Sequence, residues 1–299
     1  MVELLSFQRR PLYVFILAAL FGITDSLHIP VLYESKHLLI VNKPHGVAHH
    51  EDPNEQSPGI LQLIRQQRNY SHPSERLWGV HRLDKVTSGI LVLAKDQTTA
   101  STLSRFFAEG QVKKIYFGVS SKKPKKKKQG WVSGEMVRSR RETWMLTRAS
   151  AKDSSNFAKT RFFTAGLNAN GTSVNSPKTV IMFLPFTGKT HQLRVAAKSM
   201  GIALLGDPIY SDGTAAAGRG RGDSHSTSTA RTMLHASGIS IPSLCDNEDS
   251  VNVWCPPPFF DEESSIEAHA AFQQAVARLM TKHCDELGIV DAMLKQQSR

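Results

Sequence analysis

Apolar positions along this chain fall into short runs, broken by Gly, Pro and charged clusters, a pattern that favours strands over long helices. Leu38 to Val41 runs into Lys43-Pro44 and Gly46, which reads as a strand and a turn. Ile90 to Ala94 and Thr179 to Pro185 are continuous apolar runs that fit buried strands. VKKIYFGVS, residues 112–120, alternates with β-branched and aromatic residues and predicts another strand. Two further stretches, Trp131 to Arg148 and Ala158 to Thr164, read the same way. Helical spacing appears at Leu103, Phe106 and Phe107 within 98–109, where Gly110 supplies the C-cap. Helices are also predicted over Ile60 to Ile64, over HQLRVAAKSM at 191–200, and at the end of the chain from Ile266 to Leu287. Many strands, scattered helices and no regular β-α alternation predict an α+β fold.

Between these elements lie stretches of a different character. KKPKKKK, residues 122–128, reads as a solvated basic loop, while 167–178 is turn-rich and 211–230 is of low complexity. The N-terminus differs again: Arg9-Arg10 precedes PLYVFILAALFGI, and the next charge is Asp25. That layout matches a cleavable signal or organelle-targeting segment over 1–29, and a mitochondrial or plastid address is one reading of it. The other readings are a buried N-terminal helix and a leader that is never used, with a cytoplasmic location expected where no address is read. The organisation expected is one domain over 30–290, carrying the insertions, with a tail at 291–299.

Charge sharpens the picture. The 299 residues carry a formal net charge of +11. Twelve Lys or Arg against two Glu between Lys113 and Arg148 account for +10 of it, leaving +1 for the rest. Charge this concentrated points to a polyanionic partner. Three cysteines, Cys245, Cys255 and Cys284, show neither a C-x-x-C pair nor metal-ligand spacing, which suits a reducing compartment.

The candidate chemistry sits in two places. In HRLDKVTSGILVLAKD, residues 81–96, His81, Arg82 and Asp84 precede a small-residue turn and a buried strand. One account is a loop salt bridge from Arg82 to Asp84. The other is a catalytic carboxylate held at a strand edge, with a cation nearby to keep it ionised. The second place is GKTHQLRVAAKSMGIALLGDPIY, residues 188–210. There Gly188, Lys189 and Thr190 lie at a helix start that favours an anion, and His191 and Arg194 are spaced to share a helical face. G-x-x-x-x-G-K-[ST], G-x-G-x-x-G before a helix, and H-E-x-x-H are all missing from the sequence. Histidines 45, 49 and 50 have no partners at metal spacing. Nucleotide-driven, dinucleotide and zinc chemistry are therefore disfavoured.

HRLDKVTSG, KIYFGVS, GKTHQLRV with LLGDPIY, and the late RTMLHA resemble, in order, the motifs of the RluA-type RNA pseudouridine synthases. The likeness extends from about Val31 to near Phe260, and NKPHGVAHH resembles the family's opening strand and turn. It implies a mixed, mainly antiparallel sheet with flanking helices and a central RNA-binding cleft. Asp84 then matches the essential aspartate, and Tyr116 the tyrosine that packs on the uracil and helps remove its C5 proton. Arg194 matches the arginine that pairs with the aspartate, and Arg82 a residue that fills the gap left by an extruded base. Lys114, Lys189 and His191 fall in the same motifs and are expected to contact RNA. No cofactor and no metal are implied.

This sequence departs from the pattern at Lys189, where Arg is usual, at Ala196, where His often follows, and at Gly118, where Ala is usual. The expected partner is tRNA or rRNA, bound by a monomer without stable membrane association. Two rivals stand beside this reading. One is an RNA-binding protein that kept the fold and lost catalysis. The other is an N-glycosidic hydrolase using Asp84 and Asp207 as paired carboxylates, with Asp207 otherwise a structural residue of the Gly-Asp-Pro turn.

Overall fold

The computed structural model describes residues 27–51, 57–69, 74–125, 127–139, 143–148, 155–167, 179–211, 231–245, 249–260 and 266–283. The expected leader (except 27–29), most of the 167–178 and 211–230 insertions, Cys284 and the 291–299 tail lie outside them.

The strands are β1 (Val31–Glu34), β2 (Leu38–Lys43), β3 (Trp78–Gly79), β4 (Ser88–Ala94), β5 (Lys113–Ser120) and β6 (Gln129–Arg138). They continue with β7 (Trp144–Thr147), β8 (Phe157–Gly166), β9 (Thr179–Pro185), β10 (Leu234–Ile241) and β11 (Val251–Trp254). The helices are α1 (Ile60–Arg68), α2 (Gln97–Ala108), α3 (Gln192–Ser199) and α4 (Ile266–His283). All the strands join one sheet in the order β1-β2-β4-β10-β5-β9-β8-β6-β7, with β11 beside β10 and β3 beside β4. The pairings are antiparallel apart from β10 with β4, which run parallel. The α+β fold expected from the sequence is the fold observed.

Why β9 reads as an unbroken apolar run is explained by what lies on each side of it. Ile181 and Phe183 join a cluster with Leu193 and Ala197 of α3 and Phe162 of β8. Val180, Met182 and Leu184 join another with Phe272, Ala275, Val276 and Leu279 of α4. Successive side chains of a strand point to opposite faces, so a sheet covered on both sides needs apolar residues throughout. At β8 the same division sends Phe162 to the α3 side and Phe163 to the α4 side. A third cluster packs β2 and β4 against α1 and α2 through Leu39, Val41, Ile60, Ile64 and Leu103.

Differences from the sequence reading are local. Helix α1 continues four residues past Ile64, because the buried Arg68 at its end pairs with Glu34 and Glu75. Strands β1, β3, β10 and β11 escaped the pattern reading, β3 being only two residues long. β1 and β11 are only four residues long, and β10 (LHASGISI) mixes small and polar residues with its apolar ones. No helix among the described residues is long and apolar enough to cross a membrane.

Candidate active site

Asp84 lies in the loop between β3 and β4, where its backbone oxygen accepts from Thr87 N at 3.0 Å. That turn is pinned from below. Lys43 is fully buried and its Nζ donates to the carbonyls of Val47 (2.7 Å), Pro44 (3.0 Å) and Lys85 (3.4 Å). Gly46 N donates to the same Lys85 oxygen at 2.9 Å. Burial pulls the Lys43 amine down to about 8, and the charge of Asp84 opposes that pull. The NKPHG turn therefore serves as the seat of the Asp84 loop.

Gly89 explains the small-residue motif that follows Asp84. Its φ is +109°, and a Cβ there would sit 2.3 Å from the carbonyl oxygen of Ala236. Only glycine allows β10 to approach β4 this closely. The junction is completed by side chains: Arg231 Nη2 donates to Ser88 Oγ at 2.8 Å, and Ser88 Oγ lies 2.9 Å from His235 Nδ1. The Ser88 hydroxyl thus bridges the Arg231 guanidinium and the His235 imidazole. Burial, with Arg231 adding to it, holds His235 down to about 3, so the ring stays neutral. His81, at the head of the motif, is likewise pulled down to about 3 by burial, with Lys114 and His49 adding to it. Its Nε2 accepts from Val92 N at 2.9 Å and its ring stacks on Phe107, which makes it a structural residue of the cleft wall.

Arg194 reaches Asp84 from the other half of the chain. Its Nη1 donates to Asp84 Oδ2 at 3.3 Å across 110 residues of sequence. Its Nε and Nη2 donate to the two oxygens of Asp207 at 2.8 and 2.9 Å. Asp207 has no exposed surface and also accepts from the backbone of Ile209 and Tyr210. Burial raises the Asp207 carboxyl, but the Arg194 hydrogen bond and charge and the backbone donors outweigh it and hold it below its ordinary value. Arg194 is held above its own ordinary value in the same way, against its burial. The ion partner of Asp84 is thus Arg194 rather than Arg82, which is exposed. Asp207 is the anchor of that arginine and is too enclosed to act as a second reacting carboxylate.

The α3 end of the cleft is set by residues the sequence reading did not weigh. Gln192 is buried, and its Oε1 accepts from Thr187 Oγ1 (2.8 Å) and Lys189 N (2.9 Å). Its Nε2 donates to Thr160 Oγ1 (2.9 Å) and the Lys159 carbonyl (3.2 Å). All of its polar capacity is spent on fixing the start of α3 to β8. One of the backbone N–H groups expected to favour an anion there, that of Lys189, is therefore already engaged. His191 precedes the helix instead of sharing its face with Arg194: its φ is +57°, and its Nδ1 lies 2.9 Å from Tyr210 Oη. Tyr210 Oη accepts from Trp144 N at 3.0 Å, and the Arg194 guanidinium lies over its ring at 5.1 Å.

All seven residues expected at the site line one cleft of about 450 Å³: Asp84, Tyr116, Arg194, Arg82, Lys114, Lys189 and His191. Asp84 presents 18 % of its side chain there, whereas Arg194 presents 3 %. Burial holds the Tyr116 phenol well above its ordinary value, and the Asp84 charge adds to this. Lys189 is held at the cleft by its Nζ, which donates to the Ser155 carbonyl at 2.7 Å. Gly118, where the family resemblance led to Ala, has a local reason: a Cβ there would meet Leu204 Cδ2 at 2.7 Å. A half-open carboxylate, clamped by a buried arginine and facing an aromatic ring and cations, suits bond-making at a polyanion.

Known proteins carry the same arrangement of sequence. The model of the RNA pseudouridylate synthase family matches residues 37–199. An uncharacterized RNA pseudouridine synthase of Haemophilus influenzae is 37 % identical over 231 residues, covering 77 % of this chain and 88 % of that protein. A ribosomal large subunit pseudouridine synthase C of Rickettsia prowazekii is 32 % identical over 182 residues, 60 % of this chain and 55 % of that one. Among solved structures, human RNA pseudouridylate synthase domain containing 1 superposes with a TM-score of 0.59 at 26 % identity, covering 79 % of this chain and 86 % of the human one. Human RNA pseudouridylate synthase domain containing 4 shares the fold, with a TM-score of 0.60 at 24 % identity over 88 % of this chain and 98 % of the other. Matched by the family over more than half its length and by a bacterial relative over three quarters of it, the chain belongs to the RNA pseudouridylate synthases, enzymes that isomerise uridine within RNA.

Proposed function

We propose that the Asp84 cleft converts a uridine of ribosomal RNA to pseudouridine, with Asp84 as the catalytic carboxylate. One observation carries the reading. Asp84 is the solvent-facing end of an otherwise buried Asp207–Arg194–Asp84 chain, and it opens into the cleft that Tyr116 lines. Ribosomal RNA is favoured by the names of the relatives from Rickettsia and Buchnera, which are large-subunit enzymes.

The reaction breaks the N1–C1′ bond, turns the base over and joins C5 to C1′. N1 gains a proton and C5 loses one, so no oxidant and no water are consumed. Asp84 has two ways to help. It can add to the electron-poor C1′, or it can take the C2′ proton to leave a glycal. Both need a carboxylate aimed by a partner that does not itself react, which is the service Arg194 performs. Tyr116, its phenol held protonated, is suited to packing on the detached uracil more than to removing the C5 proton. The target base must first leave its stack, at a cost of a few kcal/mol that stacking and phosphate contacts offset.

The test is tritium release from [5-³H]uridine transcripts of rRNA and tRNA, with wild type and Asp84→Asn. Forming the C5 bond expels that hydrogen. Release from rRNA by wild type alone supports the reading, and release by Asp84→Asn refutes the role of Asp84. Release confined to tRNA would move the substrate.

A further inference from the structure

Outside the reacting centre, the described residues expose one aromatic pair that the core does not need. Trp131 of β6 and Phe186, just after β9, are 48 % and 51 % exposed, with ring centroids 5.0 Å apart. Phe186 also lines the cleft, so the pair is continuous with the site. The Lys159 amine lies 4.5 Å from the Trp131 centroid and 5.6 Å from that of Phe186, and the Arg161 guanidinium lies 5.4 Å from Trp131. The group is held by backbone. Trp131 pairs with Arg161 across β6 and β8, and Phe186 N donates to the Lys159 carbonyl at 2.9 Å. Alternation along β8 puts Lys159 and Arg161 on the same side as Phe163, the α4 side of the sheet. A chain leaving the cleft over Phe186 would therefore turn the rim of β9 onto that side. Beyond it, at the start of β6, lies the lysine run, whose Lys128 carbonyl accepts from Thr164.

We infer that Trp131 and Phe186, with Lys159 and Arg161, form a stacking subsite for an unpaired nucleotide flanking the target uridine. The occupant follows from the chemistry. Exposed rings beside cations are the two contacts that a single strand requires, a π-face for the base and positive charge for the phosphate. The RNA already bound by this family supplies both partners. The inference rests on the reading that the target uridine enters the Asp84 cleft.

The experiment uses the full chain and a 12-nucleotide oligouridylate. Trp131→Ala weakens binding roughly 5- to 100-fold, and Trp131→Phe, which keeps a ring, stays near wild type. Lys159→Gln lowers the slope of log K against log salt by about 0.7, one phosphate contact on a single strand. The oligonucleotide quenches a component of tryptophan fluorescence in wild type that is missing in Trp131→Phe. With the rRNA transcript, Trp131→Ala lowers kcat/KM for tritium release and leaves kcat at saturating RNA unchanged. Wild-type affinity in Trp131→Ala, or equal quenching in wild type and Trp131→Phe, overturns the subsite. The quenching comparison stands even if Trp131→Ala does not fold. Tritium release by Asp84→Asn would instead overturn the reading of the reacting centre, and the binding results would be untouched by it.

Discussion

Asp207→Asn is the substitution that most directly tests how the site is held. The amide matches the carboxylate in size, and its oxygen can still accept from the backbone of Ile209 and Tyr210. What changes is the arginine. Nε and Nη2 of Arg194 both donate to Asp207, at 2.8 and 2.9 Å, so one of them would face an NH2 group, donor against donor. Arg194 is 2 % exposed and cannot turn to water. Its remaining anionic partner is Asp84, through a single 3.3 Å contact. Removing one partner of a buried pair costs about 3–5 kcal/mol, because the other charge is left uncompensated. We expect a loss of about that size in urea-induced unfolding at pH 7, together with a fall in kcat as Asp84 loses its fixed partner. Replacing both groups, as Arg194→Met with Asp207→Leu, removes the stranded charge and should recover most of the stability but none of the activity. An Asp207→Asn protein within about 0.5 kcal/mol of wild type, with full kcat, would refute the anchoring role.

Gly89→Ala should be among the most damaging single-methyl changes in the protein. It combines a positive φ with a Cβ inside 3 Å of the Ala236 backbone, and a loss of at least about 3 kcal/mol in thermal or urea unfolding is expected. A Gly89→Ala protein as stable as wild type would mean that β4 and β10 can separate freely. His235 sets an acid limit: with its folded value near 3 and an ordinary value of 6.5, the unfolded chain takes up the proton first, so stability falls as pH drops through that window. Between pH 7 and pH 5 wild type should lose about 2 kcal/mol more than His235→Asn, and parallel pH profiles would disprove this.

How far the sequence revealed the site depended on whether the signal was local. The carboxylate, the tyrosine and the arginine each sit in a short, distinctive stretch, and the motifs carry them whether or not the sheet order is known. Strands with both faces covered, such as Thr179–Pro185, were equally plain, because continuous burial demands continuous apolarity. The supporting residues were not legible in this way. A lysine after a strand reads as a surface cation, and nothing local says that Lys43 is buried against three carbonyls. Gln192 reads as an ordinary helix residue until Thr160 and Thr187 are brought to it. β10 was missed because its interior position, between β4 and β5, is supplied by partners far away in the chain.

That interior position explains why the motifs occur in separate pieces. β10 runs parallel to β4 through the pair His235 and Ser88, and antiparallel to β5 through Ala236 and Tyr116. Gly89 and Tyr116 are therefore level with each other, two strands apart, or about 9.5 Å in the hydrogen-bonding direction. β9 lies on the far side of β5, with Phe183 opposite Tyr116, and the chain leaving β9 carries Arg194 back over this point. Four distant segments meet at one level of the sheet: the Asp84 turn, β5, the start of α3 and the Asp207 turn. The close contact of β10 with β4 depends on Gly89, where a Cβ would sit 2.3 Å from the Ala236 carbonyl oxygen. Widening that contact would shift Tyr116 and the β9–α3 connection together, away from Asp84. A change confined to β4 is thus expected to reduce catalysis at residues it does not touch, and for this reason the small-residue turn stands directly after the aspartate.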